Sequence, residues 1–243
     1  MSARVAEAAP AARARQVVQH FGGRYSQEAG IDVDAGDAEV ERWFLAATLF
    51  GARISAAIAQ RTFRVLDEGG LVRIAQARRV RWDAIVAMLD EGGYARYDFR
   101  TATRLQALSD VITTRYGGKT AEIGNRFCTY PALRDALDAL PGWGPTTVGL
   151  FLRELRGVWR GAEPPLDERA TVAASHLHLF DPAADTIPLR TIARVARGAH
   201  LDVRDLESGL VRLTLAHRRD AGACPGGERC IALAPRECTR GNR

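Results

Sequence analysis

The chain has 243 residues, of which 47% are apolar, so it can bury a sizeable core. Its formal net charge of +5 suits a polyanionic partner, although many basic proteins bind no nucleic acid. No apolar run reaches the length of about 18 residues that a membrane span needs, and the N-terminus lacks a signal-peptide pattern. We therefore expect a globular cytoplasmic protein without structural disulfides.

Apolar residues recur with helical spacing along most of the chain, and short glycine-containing connections separate these stretches. The sequence predicts a frayed or loosely helical tail over residues 1–15 and a loop over residues 32–37. Helices are predicted over residues 16–24, 39–60 with a break near Gly51 and Ser55, 60–68, 71–77, 82–91, up to 116, 130–140, 146–155, 170–179, 188–197 and 203–217. No segment alternates convincingly as a strand, so we expect an all-α protein.

The predicted helix over residues 130–140 ends at a sharp turn. Leu133, Leu137 and Leu140 are spaced by four and three residues, which places them on one face of the helix. Pro141 and Gly142 follow directly and stop the helix. The turn is therefore short and its position is well defined by the sequence.

A second helix begins directly after this turn. Gly144 allows a positive φ or the close approach of a ligand to bare backbone, and Pro145 suits the first helical position. Trp143 either packs at the turn or lies against a bound backbone. The first N–H groups of the new helix and the positive end of its dipole fit a phosphodiester. The residues predicted to bind DNA here are Gly142, Trp143, Gly144, Pro145, Thr146 and Thr147.

One carboxylate follows this second helix. Asp167 comes after Pro164, Pro165 and Leu166, and it precedes a helix that starts near Ala170. An aspartate at this place is a good N-cap, because its side chain can accept a hydrogen bond from the first free N–H groups. It is also a candidate catalytic carboxylate. The two roles are compatible.

Residues 140–147 resemble the hairpin of the helix-hairpin-helix DNA glycosylases, the superfamily that includes endonuclease III. In that family the hydrophobic-Pro-Gly-x-Gly turn grips the DNA backbone, and a catalytic aspartate follows at a separation that Asp167 matches. The resemblance implies an enzyme that flips a base out of the duplex. A carboxylate then stabilises the oxocarbenium-like sugar and orients or deprotonates water.

Two positions depart from the family pattern. Members that also cut the DNA backbone carry a nucleophilic lysine where this chain has Thr146, so we expect base release with little β-lyase activity. The glutamine that fills the gap left by a flipped base is replaced by Ala52, with Arg53 next to it. Arg53 is predicted to insert into the gap or to bind a phosphate; a solvated arginine at a helix end is the alternative.

The C-terminal tail contains Cys224, Cys230 and Cys238. Many endonuclease III relatives end in four cysteines that hold a [4Fe–4S] cluster, and four thiolates normally hold such a cluster. This tail is one ligand short and is spaced differently. The alternatives are an iron–sulfur cluster at these cysteines, a zinc site that adds His217, or a loop without metal. Catalysis itself requires no cofactor.

The resemblance implies two helical lobes with a substrate pocket in the cleft between them and Asp167 on its rim. Residues 39–158 are predicted to form a helical barrel that ends in the helix-hairpin-helix, and residues 1–38 plus 159–243 the second lobe. We expect a monomer that binds double-stranded DNA, associates with the nucleoid and has no membrane partner. The alternatives are a non-catalytic helix-hairpin-helix protein that recognises damaged or distorted DNA, and a helical interaction protein that binds no DNA.

Overall fold

The computed structural model describes residues 2–51, 54–181, 183 and 186–217, with side chains from residue 10 onward. Over these residues the chain is helical and contains no strand, which confirms the prediction of an all-α protein. The α-helices are α1 (Ser2–Phe21), α2 (Tyr25–Glu28), α3 (Asp37–Phe50), α4 (Ala56–Glu68), α5 (Trp82–Glu91), α6 (Asp98–Tyr116), α7 (Ala121–Arg126), α8 (Tyr130–Asp138), α9 (Pro145–Glu154), α10 (Glu168–His176), α11 (Pro188–Gly198) and α12 (Val203–His217). Two 3₁₀-helices span Val33–Ala35 and Ile74–Arg79. None of the helices described is both long and apolar enough to cross a bilayer.

Several local predictions are changed by the structure. The loop predicted over residues 32–37 contains the 3₁₀-helix Val33–Ala35. Of the frayed or loosely helical tail expected up to residue 15, the structure has the helical alternative, as part of one continuous helix, α1. Ala14 and Val17 of α1 are fully buried, and this packing holds the helix in place. The helix predicted over residues 71–77 is instead the 3₁₀-helix Ile74–Arg79, because the Gln76 side chain accepts hydrogen bonds from the N–H groups just before it.

The chain divides into two compact units. The central unit spans Ser26–Pro164, and the terminal unit contains the described residues up to Tyr25 and from Pro165 onward. These boundaries differ from the predicted ones at residues 39 and 158. At one end, the Ser26 N–H donates to the buried Glu154 carboxylate at 2.8 Å; at the other, the Arg156 side chain donates to the Pro164 carbonyl at 2.6 Å. These two bonds hold the first and last residues of the central unit, Ser26 and Pro164, to the rest of that unit.

Four aromatic rings form the centre of the central unit. We call Phe44, Trp143, Phe151 and Trp159 the aromatic cluster. Phe44 stacks on Trp143 with ring centroids 4.4 Å apart, and Phe151 meets the other three rings edge-on at 5.2–5.5 Å. Such pairs add to the stability that burial of the rings already provides. The cluster therefore fixes α9 and the turn before it against α3.

A buried carboxylate joins two further helices of the central unit. Glu41 of α3 accepts a hydrogen bond from the Thr120 N–H at 2.5 Å, at the start of α7. Burial raises the pKa of Glu41, while its hydrogen bonds at Thr120 act in the opposite direction. Because α7 has no side-chain cap of its own at Thr120, the carboxylate from α3 takes that place.

The terminal unit packs α1, α10 and α11 around α12. Its core combines small side chains of α1 and α10 with leucines of α12 and with Ile192 and Ala196 of α11. At Gly209 of α12, an added Cβ would lie 3.0 Å from Val17 and 3.1 Å from the Gly22 carbonyl, so α1 and α12 approach closely there. Arg24 and Asp205 close this corner with a salt bridge of 3.1 Å.

Candidate nucleic-acid interface and carboxylate

The predicted helix–turn–helix element is present between α8 and α9. The Leu140 N–H donates to Leu137 O at 3.0 Å and the Trp143 N–H donates to Leu140 O at 3.1 Å, so two tight turns follow the end of α8. The hydrogen-bonding pattern of α9 begins with the Val148 N–H, which donates to Gly144 O at 3.0 Å. The turn therefore reverses the chain over very few residues.

The two glycines of the turn have different roles. Gly142 has a φ of +82°, and a Cβ there would lie 1.8 Å from the Arg104 side chain. Gly144 has an extended φ of −161°, and a Cβ there would meet nothing within 4 Å. The sequence offered a positive φ or a close approach at Gly144; the positive φ lies at Gly142, whereas Gly144 leaves its backbone open to an approaching group.

The start of α9 has free hydrogen-bond donors. Gly144 is its N-cap and provides no side-chain cap, and Pro145 has no N–H. The N–H groups of Thr146 and Thr147 precede the first helical hydrogen bond, so they are donors that a helix leaves unpaired at its beginning. Pro145 and Thr146 are exposed. The beginning of α9 therefore lies at the surface of the protein.

Two of the predicted DNA-binding side chains are buried. Trp143 is only 7% exposed; its indole N–H donates to the Thr48 hydroxyl at 3.2 Å, and its ring stacks on Phe44. Thr147 is also buried. Its hydroxyl lies against the backbone of Gly51, where a Cβ added to the glycine would be 1.9 Å from the hydroxyl oxygen. Of the two placements expected for Trp143, the structure has the first: the ring packs at the turn and anchors it to α3.

Sequence reasoning missed a cation at the turn. The side chain of Arg104, on α6, packs against Gly142 where a Cβ would otherwise be. This side chain is partly exposed. No carboxylate among the described residues forms an ion pair with it, so its charge adds to the positive end of α9. Nothing in the local sequence reveals this contact, because α6 and the turn are far apart in the chain.

The two turn glycines give opposite predictions. We expect Gly142→Ala to lower the free energy of unfolding by about 1–3 kcal/mol, because alanine at a positive φ is strained. Gly144→Ala should leave stability within about 0.5 kcal/mol of wild type, since its methyl group enters open space. If a phosphate approaches there, the same methyl group should weaken duplex binding. Urea unfolding and titration with a labelled duplex measure both quantities; equal effects of the two variants on both would contradict this division.

Asp167 is held as the N-cap of α10. Its carboxylate accepts from the Arg169 N–H at 2.8 Å, and its carbonyl accepts from the Thr171 N–H at 2.8 Å. Its own N–H donates to the Glu207 carboxylate of α12 at 3.0 Å. Glu207 is 1% exposed, and sequence reasoning missed it. The capping role is therefore present, and Asp167 itself remains partly exposed.

Several predicted site residues lie outside the described part of the chain. These are Arg53 and the cysteines Cys224, Cys230 and Cys238. Within the described part, no group of three or more His, Cys, Asp or Glu side chains is placed to hold a metal ion. His217, considered as a zinc ligand, packs edge-on against His176 with ring centroids 5.4 Å apart. Burial lowers the pKa of both imidazoles.

Over the described residues the protein is all-helical; its central unit contains a helix, a glycine turn and a helix, and its terminal unit contains the capping carboxylate Asp167. No protein-family model matches the chain, and none of the curated proteins matches its sequence. A functional inference therefore depends on the residues and contacts of this chain.

Proposed function

We propose that the protein is a DNA base-excision glycosylase that hydrolyses the N-glycosidic bond of a damaged or mismatched base flipped from duplex DNA. The observation that carries the proposal is the open backbone at Gly144 at the start of α9, in a chain where Asp167 follows as a capping carboxylate. The resemblance of residues 140–147 and Asp167 to the helix-hairpin-helix glycosylases gives these two features their roles.

In this proposal the turn holds a DNA strand by its backbone. A phosphate accepts from the Thr146 N–H and approaches Gly144, where no side chain obstructs it. The positive end of the α9 dipole and the Arg104 guanidinium both attract the negative charge of this phosphate. Such contacts position the duplex but carry no sequence information, so the choice of base belongs to other residues.

The chemistry in this proposal belongs to Asp167. When the bond to the base breaks, positive charge develops on the deoxyribose, and a nearby carboxylate stabilises that charge and orients the attacking water. The Arg169 N–H holds the Asp167 carboxylate and the Glu207 carboxylate holds the Asp167 main-chain N–H, which favours a fixed carboxylate over a mobile one. A fixed charge costs little reorganisation when the sugar becomes cationic.

The product should be an abasic site and not a broken strand. A strand break through β-elimination needs an amine that forms an imine with the sugar, and Thr146 stands where the related lyases have a lysine. Lys119, the only lysine of the chain, follows α6 in another connection. We therefore predict no covalent adduct when borohydride is added during the reaction. A trapped protein–DNA adduct would contradict monofunctional hydrolysis.

A panel of end-labelled duplexes tests the proposal. Each duplex carries one oxidised pyrimidine, alkylated purine, deaminated base, or mismatched adenine or thymine, and an undamaged duplex is the control. We expect cleavage of one lesion class only after hot alkali, which cuts at abasic sites. Salt-dependent binding without cleavage of any duplex would favour the alternative, a non-catalytic helix-hairpin-helix protein that recognises damaged or distorted DNA.

A further inference from the structure

Helix α11 of the terminal unit has one face made of arginines. Arg190, Arg194 and Arg197 are exposed, and each precedes by two positions a buried apolar residue of the core, such as Ile192 or Ala196. Two positions on an α-helix are about 200° apart, so the arginines point away from the core. We call these three residues the arginine stripe.

No acidic residue of α11 itself balances the charge of the arginine stripe. Residues 186–201 contain no Asp or Glu. The next acidic residues on its C-terminal side, Asp202 and Asp205, are paired with Arg204 at 2.6 Å and with Arg24 at 3.1 Å. No ion pair or hydrogen bond joins a stripe guanidinium to any residue that the structure describes. An exposed helix usually mixes both signs of charge, and α11 does not.

We infer that the arginine stripe binds the phosphodiester backbone of duplex DNA, as a contact surface separate from the turn at Gly142. Seven residues of helix extend about 10 Å. Successive phosphates of one strand are displaced by about 3.4 Å along the duplex axis, so the length of the stripe matches the axial rise of about three nucleotides. The planar guanidinium donates two parallel hydrogen bonds to a phosphate, which lysine cannot do.

A nucleic acid fits this face better than a lipid surface. A helix that binds a membrane surface inserts an apolar face between the lipids. The apolar face of α11 is already used in the core, where Ile192 and Ala196 are buried. The stripe therefore offers charge and hydrogen-bond donors, which is what a phosphate backbone requires.

The test measures duplex binding by the full-length protein over a series of salt concentrations. The probe is an undamaged duplex, so the result does not depend on base excision. Replacing Arg190, Arg194 and Arg197 together by Gln should reduce the slope of log K against log salt by about 2–3, since each lost phosphate contact removes about 0.9. Because the three side chains are exposed, the thermal midpoint should stay unchanged.

A matched variant separates the stripe from general charge. Replacing Arg78, Arg81 and Arg134 by Gln removes the same three charges from exposed positions, but each of these arginines pairs with a carboxylate at 2.7–3.5 Å. This control should leave the slope near that of wild type. Equal losses in both triple variants, or no loss in the stripe variant, would overturn the inference.

Two further arms separate this inference from its rivals. Vesicles of equal parts phosphatidylserine and phosphatidylcholine probe the lipid alternative; loss of vesicle binding with unchanged duplex binding in the stripe variant would overturn the inference.

Gly144→Ala probes the turn alone. If that variant weakens duplex binding and the stripe variant still has a reduced slope against its control, both surfaces contact DNA. If no duplex is ever cleaved but the stripe variant has the reduced slope, the proposed glycosylase fails and the stripe remains.

Discussion

Replacing Asp167 by Asn should lower the rate of base release by about 10²–10³-fold, the usual cost of losing one group that stabilises transition-state charge. The folded protein should change little, because asparagine is as good an N-cap as aspartate and can accept the same hydrogen bond from the Arg169 N–H. Single-turnover base release on the duplex that the panel identifies measures the first effect, and urea unfolding measures the second.

Two companion variants make the Asp167 result specific. Asp32→Asn removes the same charge from another capping carboxylate, which accepts from the Asp34 N–H at 3.1 Å, and it should retain wild-type activity. Asp167→Ala should lose activity and also about 1 kcal/mol of stability, because it removes the cap. If Asp167→Asn kept full activity while Asp167→Ala lost only stability, Asp167 would be a cap and nothing more.

The sequence predicted the helices well where regular apolar spacing and a glycine or proline at the helix end are adjacent in the chain. The bounds of α5, residues 82–91, follow from its apolar spacing and the glycines after it, and that prediction is confirmed. Pro145 as the first residue of α9 is confirmed for the same reason. Residues 71–77 were less predictable, because a single glutamine side chain bonds to the preceding backbone and shifts the helix along the chain.

The site depends more on contacts between distant segments. The sequence left Trp143 either packed at the turn or against a bound backbone, and the choice between them follows only from its contacts with Phe44 and Thr48 of α3. The close approach of Arg104 to Gly142 likewise depends on α6, which is distant in the chain. Glu207 lies far from Asp167 in the chain, and no spacing rule connects a helix interior to a distant cap. These residues required the folded chain.

Replacing Trp143 by Ala should lower the free energy of unfolding by about 3–5 kcal/mol, the usual cost of truncating a large buried aromatic residue. The variant loses the stack on Phe44, the edge contact with Phe151 and the hydrogen bond to Thr48, and it leaves a cavity below the turn. Trp143→Phe keeps a ring in the cluster and loses the hydrogen bond, so its cost should be smaller. Urea unfolding of the full-length protein measures each difference.

Trp82 provides the matched control for this prediction, because it is a tryptophan of the same unit with 40% of its surface exposed and no place in the aromatic cluster. Trp82→Ala should lower the free energy of unfolding by at least about 2 kcal/mol less than Trp143→Ala does, because Trp82 has less buried apolar surface to lose. Duplex binding by Trp143→Phe should stay close to wild type, because the ring does not reach the surface of the turn. A large loss of duplex binding in Trp143→Phe at unchanged stability would mean that the indole contacts DNA directly, which its burial against α3 argues against.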